Sequence, residues 1–244
     1  MRLLRSYIKN TVRTVSISVL YGSLLLSEQT ARGLLQESNI PLSSIYTNKW
    51  ALVIGIDEYT DYNKLQYAVK DAETISGILQ EKFNFPEENI ILLKDEEATK
   101  GAIISAFNDL AERTSQGDAV IVFFAGHGMT KRGLNSDIGY LVPVNCKAGE
   151  NSLMKHAINM MDIKKYSKEI TAKHILFLVD ACYSGLAAEQ DRGGSQGKAD
   201  IIRNLTRDPS RQIITAGRKG EVAIEGPKWD HSAFTSALVD GLLH

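Results

Sequence analysis

Five apolar segments of this chain alternate with stretches of helical periodicity, and that alternation limits its fold more than any other feature. The segments are WALVIGI (50–56), NIILLKD (89–95), DAVIVFFAG (118–126), HILFLVDA (174–181) and RQIITAG (211–217). Strands that are apolar nearly throughout are buried on both faces, so helices must cover both sides of their sheet. The chain is therefore predicted to be an α/β protein with a mainly parallel central sheet between two helical layers.

Helices are predicted at 65–83 and 99–114, where apolar residues recur at helical spacing and the second segment opens on a threonine cap. Shorter helices are predicted at 161–170 and 232–243. IGYLVPVN (138–145) is expected to form a short strand or half of a hairpin.

The charge of the chain limits the classes of partner that are expected, and its cysteine content limits the expected compartment. The 244 residues include 28 basic and 29 acidic side chains, a net charge of -1, which provides no general field for nucleic acid or an anionic membrane. Two cysteines, Cys146 and Cys182, cannot build a disulfide framework, so a reducing compartment and a cytoplasmic location are expected. No stretch reaches the roughly 18 to 20 apolar residues of a spanning helix.

Residues 1–48 differ from the rest and are predicted to be a helical prodomain or extension that ends in a linker. Four basic residues precede the charge-free stretch VSISVLYGSLLLS (15–27), an order that also resembles a secretory signal. Apolar residues at helical spacing favour an amphipathic helix that packs on the main domain. A membrane-surface helix and a partner-binding prodomain remain alternatives.

Two unusual segments stand at the carboxyl ends of predicted strands, where open parallel sheets gather their sites. AGHG (125–128) follows the third strand, and DACYSG (180–185) follows the fourth. An imidazole near a thiol favours the nucleophilic thiolate, and flanking glycines leave His127 accessible. The amides of Gly128 and Cys182 are candidates to hold the oxyanion of an attacked carbonyl.

Structural interpretations compete with this one. An isolated cysteine is usually a buried hydrophobe, and an isolated histidine in a glycine turn is usually a loop residue, but their joint placement favours catalysis. Zinc is a weaker interpretation, because two cysteines and five scattered histidines show no paired ligand spacing, and no metal site is predicted. A nucleotide-binding module is also weaker, since no GxGxxG or Walker loop follows the first strand.

A family resemblance rests on these motifs together. FFAGHG (123–128) and DACYSG, with WALVIGIDEY and LQYAVKDA before them and HSAFTSALVDGL after them, resemble the caspase-like cysteine peptidases of clan CD. Within that clan the likeness is to the metacaspases and their bacterial relatives, the orthocaspases, and it covers residues 48–243. It implies a caspase-like three-layer sandwich, a monomer that acts on proteins or peptides, and a dyad of Cys182 and His127 with the amides of Gly128 and Cys182 at the oxyanion.

The resemblance also implies cleavage after arginine or lysine. Asp180 matches an acid of the metacaspase specificity pocket, and Asp71 in AVKDA matches a second one. Two carboxylates in a concave site are favourable when a cation completes them; arginine offers two-pronged hydrogen bonds and lysine a point charge. Each acid alone also fits a structural role. Asp57, at the end of the first strand, is a further pocket candidate whose role is undecided.

The sequence departs from the metacaspase pattern at a few positions. Tyr183 stands where many members have histidine, and Ala125 stands where serine is frequent; neither is interpreted as inactivating. Many metacaspases are activated by calcium through an aspartate cluster. Here Asn145 and Cys146 follow YLVPV, so no calcium site can be mapped; no cofactor is expected to be required, and calcium activation stays an alternative.

The segment 188–210 is rich in glycine, serine and charge, and it is predicted to be an exposed loop between a large-subunit-like part (49–187) and a small-subunit-like part (211–244). The resemblance implies self-cleavage in this loop, and an uncut linker is the alternative. The basic residues that offer candidate bonds are Arg192, Lys198, Arg203, Arg207 and Arg211.

Two other functions remain as rivals. A clan CD peptidase with a different specificity, such as a separase-like one, would share the dyad. A non-catalytic scaffold of the same fold usually lacks the cysteine or the histidine, and this sequence has both.

Overall fold

The computed structural model describes residues 45–132, 137–181, 209–216, 225–226 and 230–243. Residues 1–44, which include the predicted amphipathic helix, lie outside the described residues. In chain order the described strands are β1 (Lys49–Gly55), β2 (Ile90–Lys94), β3 (Ala119–Ala125), β4 (Gly128–Lys131), β5 (Ile138–Leu141), β6 (Ile158–Asn159), β7 (His174–Asp180), β8 (Ser210–Thr215), β9 (Glu225–Gly226) and β10 (His231–Ser232).

The described helices follow the expected alternation with the strands. They are α1 (Ala68–Phe83), α2 (Lys100–Arg113), α3 (Glu150–His156), α4 (Met160–Glu169) and α5 (Ala233–Leu243), with short 3₁₀ turns at Glu87–Asn89 and Asp95–Glu97. None of the helices in the described ranges is long and apolar enough to cross a lipid bilayer.

The central sheet is parallel throughout its five described strands, in the order β2-β1-β3-β7-β8. Each of these strands lies within or overlaps one of the five apolar segments. The predicted α/β class with a mainly parallel sheet is therefore confirmed.

Strand β1 shows how both faces of this sheet are buried. Successive residues of a strand point to opposite faces, so Leu52 and Ile54 pack with α2 and α4, while Ala51 and Val53 pack with α1 and α5. All four side chains are almost completely buried. The sheet thus has a helical layer on each side, as its apolar strands require.

Helix α1 begins at Ala68, three residues later than its apolar pattern predicts. The carboxylate of Asp57 accepts hydrogen bonds from the amides of Ala68 (2.9 Å) and Val69 (3.1 Å). These amides have no partner within the helix, and a negative charge at this end also complements the helix dipole. A side chain from the loop after β1 therefore defines where the helix starts.

A small antiparallel sheet, in the order β4-β5-β6, stands beside the main one. Gly128 lies opposite Leu141, and Leu141 lies opposite Ile158. The short strand expected in 138–145 is β5, which ends at Leu141. Strand β4 starts directly after His127. The small sheet therefore anchors the chain that leaves Gly126–Gly128, which we name the histidine turn.

Candidate active site

The third and fourth apolar segments lie side by side as strands β3 and β7 and end at one edge of the sheet, with Ala125 opposite Asp180. Just beyond that pair, the amide of Gly126 donates a hydrogen bond to the carbonyl oxygen of Asp180 (3.2 Å). The histidine turn therefore adjoins the end of the strand that leads to the predicted nucleophile. Ala181 is fully buried at this edge, and Cys182 lies outside the described residues.

The ring of His127 is oriented by a main-chain group. Its Nε2 lies 2.7 Å from the carbonyl oxygen of Asn63. Because a carbonyl oxygen only accepts hydrogen bonds, Nε2 carries the proton, and in the neutral ring Nδ1 has the free lone pair. Nδ1 is therefore the nitrogen available to take a proton. This partner could not be predicted from the sequence, since every residue has a backbone carbonyl.

Two tyrosines pack against the same histidine. The ring centroids of Tyr59 and Tyr62 lie 4.7 Å and 5.8 Å from that of His127. The hydroxyl of Tyr59 accepts from the amide of His127 (3.0 Å) and donates to the carbonyl of Val142 (3.1 Å). Burial raises the pKa of Tyr59, which keeps the hydroxyl protonated and able to donate. The phenol thereby ties the histidine turn to the end of the small sheet.

Gly126 is required by this contact. A Cβ at that position would lie 2.6 Å from the hydroxyl oxygen of Tyr59 and 3.1 Å from the ring of Phe124. The glycine therefore admits the tyrosine that holds the turn. Gly128, on the other side, is buried at the start of β4, and its amide at the oxyanion stays a prediction.

The two predicted pocket acids, Asp71 of α1 and Asp180 of β7, are buried, at 1% and 4% exposure. One residue joins them: the backbone amide of Ser232 donates to Oδ2 of Asp71 (3.1 Å), and its hydroxyl donates to Oδ2 of Asp180. Residues 161 and 52 positions from Ser232 along the chain are thus brought to one buried cluster. A concentration of negative charge so far from water needs cationic or hydrogen-bonding partners.

Two further side chains complete the cluster. His231 Nδ1 lies 2.6 Å from Oδ1 of Asp71, and Thr235 Oγ1 donates to Oδ2 of Asp180 (2.7 Å). Burial raises the pKa of Asp180, the charge of Asp71 adds to that effect, and the Ser232 and Thr235 hydroxyls oppose it. We name Asp71, Asp180, His231, Ser232 and Thr235 the acid cluster.

Sequence reasoning missed His231, Ser232 and Thr235. Their segment, HSAFT, was used only as one of the motifs that resemble the caspase-like peptidases. A local signal was present, since a hydroxyl residue before an apolar helix is typical of an N-terminal cap, and Ser232 Oγ accepts from the amide of Thr235 (2.9 Å). What no local signal shows is that the same hydroxyl also meets Asp180.

Two other predicted site residues are engaged in the fold. Asp57 uses both carboxylate oxygens at the start of α1, and burial raises its pKa; its role toward a substrate stays a prediction. Arg211, a processing candidate, is part of β8, where its guanidinium donates to four backbone carbonyls, among them those of Ser167 and Ile170. Arg192, Lys198, Arg203 and Arg207 lie outside the described residues.

Cys146 shows what a structural thiol looks like in this chain. It is fully buried, and its Sγ lies 3.9 Å from the hydroxyl of Tyr62. Burial raises the pKa of the Cys146 thiol, and burial with the nearby thiol raises the pKa of Tyr62 to about 12. Both groups are neutral at physiological pH, so Cys146 has the environment of an unreactive core residue.

In the described part of the chain, no group of three or more His, Cys, Asp or Glu side chains has an arrangement that would hold a metal ion. The chemistry that the described groups offer is that of an oriented imidazole and a buried acidic cluster at one edge of a sheet. An imidazole with a free Nδ1 can act as a general base, and buried carboxylates can bind a cationic group.

The sequence of the chain is similar to those of metacaspases. Metacaspase-2 of Arabidopsis thaliana is 28% identical over 154 residues, which are 58% of this chain and 35% of the relative. Metacaspase-1A of Aspergillus oryzae is 27% identical over 171 residues, 65% of this chain and 39% of the relative. The chain thus spans little more than a third of the length of these relatives.

A protein of Geobacter sulfurreducens, known from its crystal structure, has the same fold, with a TM-score of 0.57 and 16% identity over 79% of this chain and 81% of that one. A family model of the caspase domain, peptidase C14, matches residues 48–244. The resemblance drawn from the paired histidine and cysteine motifs is therefore confirmed. Because the match covers most of its length, the chain belongs to the caspase domain family, peptidase C14.

Proposed function

We propose that this protein is a cysteine endopeptidase that cleaves after arginine or lysine, with Cys182 as nucleophile and His127 as its base. The observation that carries the proposal is that the oriented imidazole of His127 and the buried carboxylate of Asp180 stand at the carboxyl ends of adjacent strands. Asp71, from helix α1, is joined to Asp180 through Ser232. Asp180, the last residue of β7, is two residues before Cys182 in the sequence. One strand end therefore delivers both the acid for recognition and the thiol for attack.

The catalytic cycle follows from the protonation state of His127. Its Nδ1 accepts the thiol proton of Cys182, and the thiolate attacks the carbonyl carbon of the scissile bond. The amides of Gly128 and Cys182 stabilise the oxyanion. His127 then gives the proton to the leaving amine, and water, deprotonated at the same nitrogen, hydrolyses the thioester and restores the thiol. The carbonyl of Asn63 orients the ring, so no third catalytic side chain is needed.

The acid cluster supports the specificity for a basic side chain. Asp71 and Asp180 are both withdrawn from water, and a carboxylate in that position is stabilised by a charge-assisted hydrogen bond. The guanidinium of arginine and the ammonium of lysine supply such bonds, whereas a substrate aspartate would add a third negative charge. We therefore expect basic side chains to be accepted and acidic ones rejected.

We further propose that the enzyme processes itself after one or more of Arg192, Lys198, Arg203 and Arg207. Arg211 is a poorer substrate, because β8 pairs with β7 from Ser210 to Thr215 and would have to leave the sheet. Mass spectrometry of the wild-type protein beside Cys182→Ala tests this. Cuts in the wild type alone are expected, and cuts that persist in Cys182→Ala would contradict self-processing.

For the intact protein we propose a cytoplasmic monomer that needs no cofactor and acts on proteins or peptides rather than nucleic acid. Activity with calcium and with a chelator should be equal. A stimulation by calcium that the chelator reverses would contradict this.

The function as a whole is tested with reporter peptides that differ only in the residue before the cleaved bond. Turnover is expected with arginine and lysine and not with aspartate. Cys182→Ala should abolish it, while Cys146→Ser, the matched control at the buried thiol, should retain it. If Cys182→Ala keeps both its activity and its labelling by iodoacetamide, Cys182 is not the nucleophile. If the wild type turns over none of the peptides, a non-catalytic scaffold is favoured.

A further inference from the structure

Two hydroxyl groups of the acid cluster converge on one oxygen of one carboxylate. The hydroxyls of Ser232 and Thr235 both donate to Oδ2 of Asp180 rather than to its Oδ1. Ser232, Thr235 and Asp180 are buried, at 4%, 0% and 4% exposure. The catalytic cycle uses neither hydroxyl. The two bonds therefore distinguish two carboxylate oxygens that are chemically equivalent in the free side chain.

Ser232 holds both acids of the cluster. Its hydroxyl oxygen accepts from the backbone amide of Thr235 (2.9 Å), so the single hydroxyl proton is left to be donated to Asp180. The backbone amide of Ser232 donates to Oδ2 of Asp71 (3.1 Å). One residue thus contacts one acid through its main chain and the other through its side chain, and it sets the distance between them.

These hydroxyl donors stand on a rigid element, whereas the carboxylate is intrinsically free to turn. Ser232 immediately precedes helix α5, and Thr235 lies in the first turn of that helix. The apolar residues of α5 that pack against the core beside β1 are Phe234, Leu238, Val239 and Leu242. The last torsion of an aspartate side chain has broad energy minima, so its carboxylate has no fixed plane of its own. Helix α5 supplies the fixed reference that this side chain lacks.

We propose that Ser232 and Thr235 are positioning residues for specificity: their hydroxyls hold Oδ2 of Asp180, so that Oδ1 is presented to the cation of the substrate. This inference rests on the proposed function, in which Asp71 and Asp180 receive a basic side chain. A group that recognises a ligand must be held to within about 0.5 Å of its productive geometry. Asp180 therefore discriminates well between side chains only while its orientation is fixed.

Thr235 allows the cleaner pair of substitutions. Thr235→Val removes the hydroxyl, keeps nearly the shape of the side chain, and leaves the backbone amide that Ser232 accepts from. Thr235→Ser keeps the hydroxyl and removes the methyl group. A packing role of Thr235 would be preserved by valine, whereas the proposed role of its hydroxyl would be preserved by serine.

Ser232→Ala removes the other hydroxyl donor together with the cap of α5, so it should also lower the stability of the protein. The matched control is Ser152→Ala, because the hydroxyl of Ser152 is buried and has no hydrogen-bond partner within the described part of the chain. A loss of stability lowers the concentration of active enzyme for every substrate alike. A ratio between two substrates is therefore unaffected by it.

The experiment measures kcat/KM at one pH for two peptides that are identical except for arginine or citrulline before the cleaved bond. Citrulline has nearly the shape of arginine and no charge, so the arginine-to-citrulline ratio reports recognition of the cation. We expect this ratio to fall about tenfold in Ser232→Ala and in Thr235→Val, because each variant removes a hydrogen bond to a charged group. In Thr235→Ser and Ser152→Ala it should stay within about twofold of the wild-type ratio.

Three results would overturn the proposal. An unchanged ratio in both Ser232→Ala and Thr235→Val would leave their hydroxyls with a purely structural role. A higher ratio would mean that the hydroxyls compete with the substrate cation for Asp180 instead of presenting the carboxylate to it. An equal fall in Thr235→Ser and Thr235→Val would assign the effect to the packing of the methyl group.

A failure of the proposed function would be visible in the wild type alone. Equal turnover of the arginine and citrulline peptides by the wild type would contradict the specificity for a basic side chain, and the positioning roles of Ser232 and Thr235 would fall with it. A wild-type preference for arginine that all variants retain would contradict only those positioning roles.

Discussion

The histidine turn and the acid cluster lie at one edge of one sheet but are held in different ways. His127 is positioned by uncharged groups: the carbonyl of Asn63, the hydroxyl of Tyr59 and the pairing of β4 with β5. The acid cluster is held by hydrogen bonds between buried carboxylates and the side chains of a segment more than 50 residues away.

This difference separates the two tasks of the site. The uncharged partners orient the ring and leave the lone pair of Nδ1 free for the proposed proton transfer. In the proposed function, the charge of the two buried carboxylates makes the cluster selective, because a substrate cation would stabilise them. Substitutions in the turn should therefore affect all substrates alike, whereas substitutions in the cluster should discriminate between substrates.

The largest discriminating effect is expected from Asp180→Asn. Both hydroxyl donors of the cluster reach the same oxygen, Oδ2, and an amide oxygen can accept both, so the fold should be retained while the charge is lost. Turnover of an arginine peptide should fall about a hundredfold, and that of a citrulline peptide less than about threefold. Steady-state kinetics measure both.

The control for that substitution is Asp109→Asn, which removes an exposed carboxylate paired with Arg113. It should change neither turnover nor stability measurably. An equal fall with arginine and citrulline peptides in Asp180→Asn would show that Asp180 serves the fold and not the choice of substrate.

Gly126→Ala should reduce turnover of every peptide by the same factor, about tenfold or more, with a loss of roughly 1–3 kcal/mol of stability. The added methyl group would collide with the Tyr59 hydroxyl and move His127. Gly77→Ala, where a Cβ has no neighbour within 4 Å, is the matched control and should stabilise helix α1 by about 1 kcal/mol. A change in substrate preference in Gly126→Ala would contradict the claim that only the acid cluster discriminates between substrates.

Tyr59→Phe tests the same turn more mildly. It keeps the ring against His127 and leaves the amide of His127 and the carbonyl of Val142 without their partner. A loss of about 1–3 kcal/mol of stability is expected, with a several-fold fall in turnover of arginine and citrulline peptides alike. Tyr62→Phe is the control, since its hydroxyl contacts Cys146 and Lys147 and not the histidine turn. Equal effects in both variants would argue against a special role for Tyr59.

The smallest expected effect is a change in the pH dependence of the free energy of unfolding when Asp180 is replaced. Burial raises the pKa of Asp180, so the folded protein binds that proton more tightly than the unfolded chain does. The wild type therefore gains stability as the pH falls through this raised pKa, and Asp180→Asn does not. In urea unfolding, the stability of Asp180→Asn relative to wild type should decrease from pH 7 to pH 4. An increase would mean that the hydrogen bonds from Ser232 and Thr235 outweigh burial and favour the ionised carboxylate.

Much of the fold could be predicted from the sequence because it follows from local pattern. Continuous apolar strands at 50–56, 118–126 and 174–181 required helices on both faces of the sheet, and the two helical layers bury those faces. Helix α3 and the two-residue strands β6, β9 and β10 were not predicted, because such short elements form through tertiary contacts rather than through periodicity.

The same distinction between local pattern and tertiary contact applies to the candidate site. The placement of His127 and Asp180 at the ends of neighbouring strands could be predicted, since each follows or ends an apolar segment. The pocket role of Asp180 was implied by the family resemblance and stays a prediction. The carbonyl of Asn63 could not be predicted, because every residue has one. His231 and Ser232 could not be matched to Asp71 either, since only the folded chain shows which of many polar residues meet across 160 positions.

The most direct test of a basic-specific cysteine peptidase is to digest a mixture of peptides of diverse sequence and to identify by mass spectrometry the residue before each new cut. Wild-type protein should cut after arginine and lysine, and Cys182→Ala should make no cuts. Cuts after aspartate, or cuts with no preference for a basic residue, would contradict the pocket formed by Asp71 and Asp180.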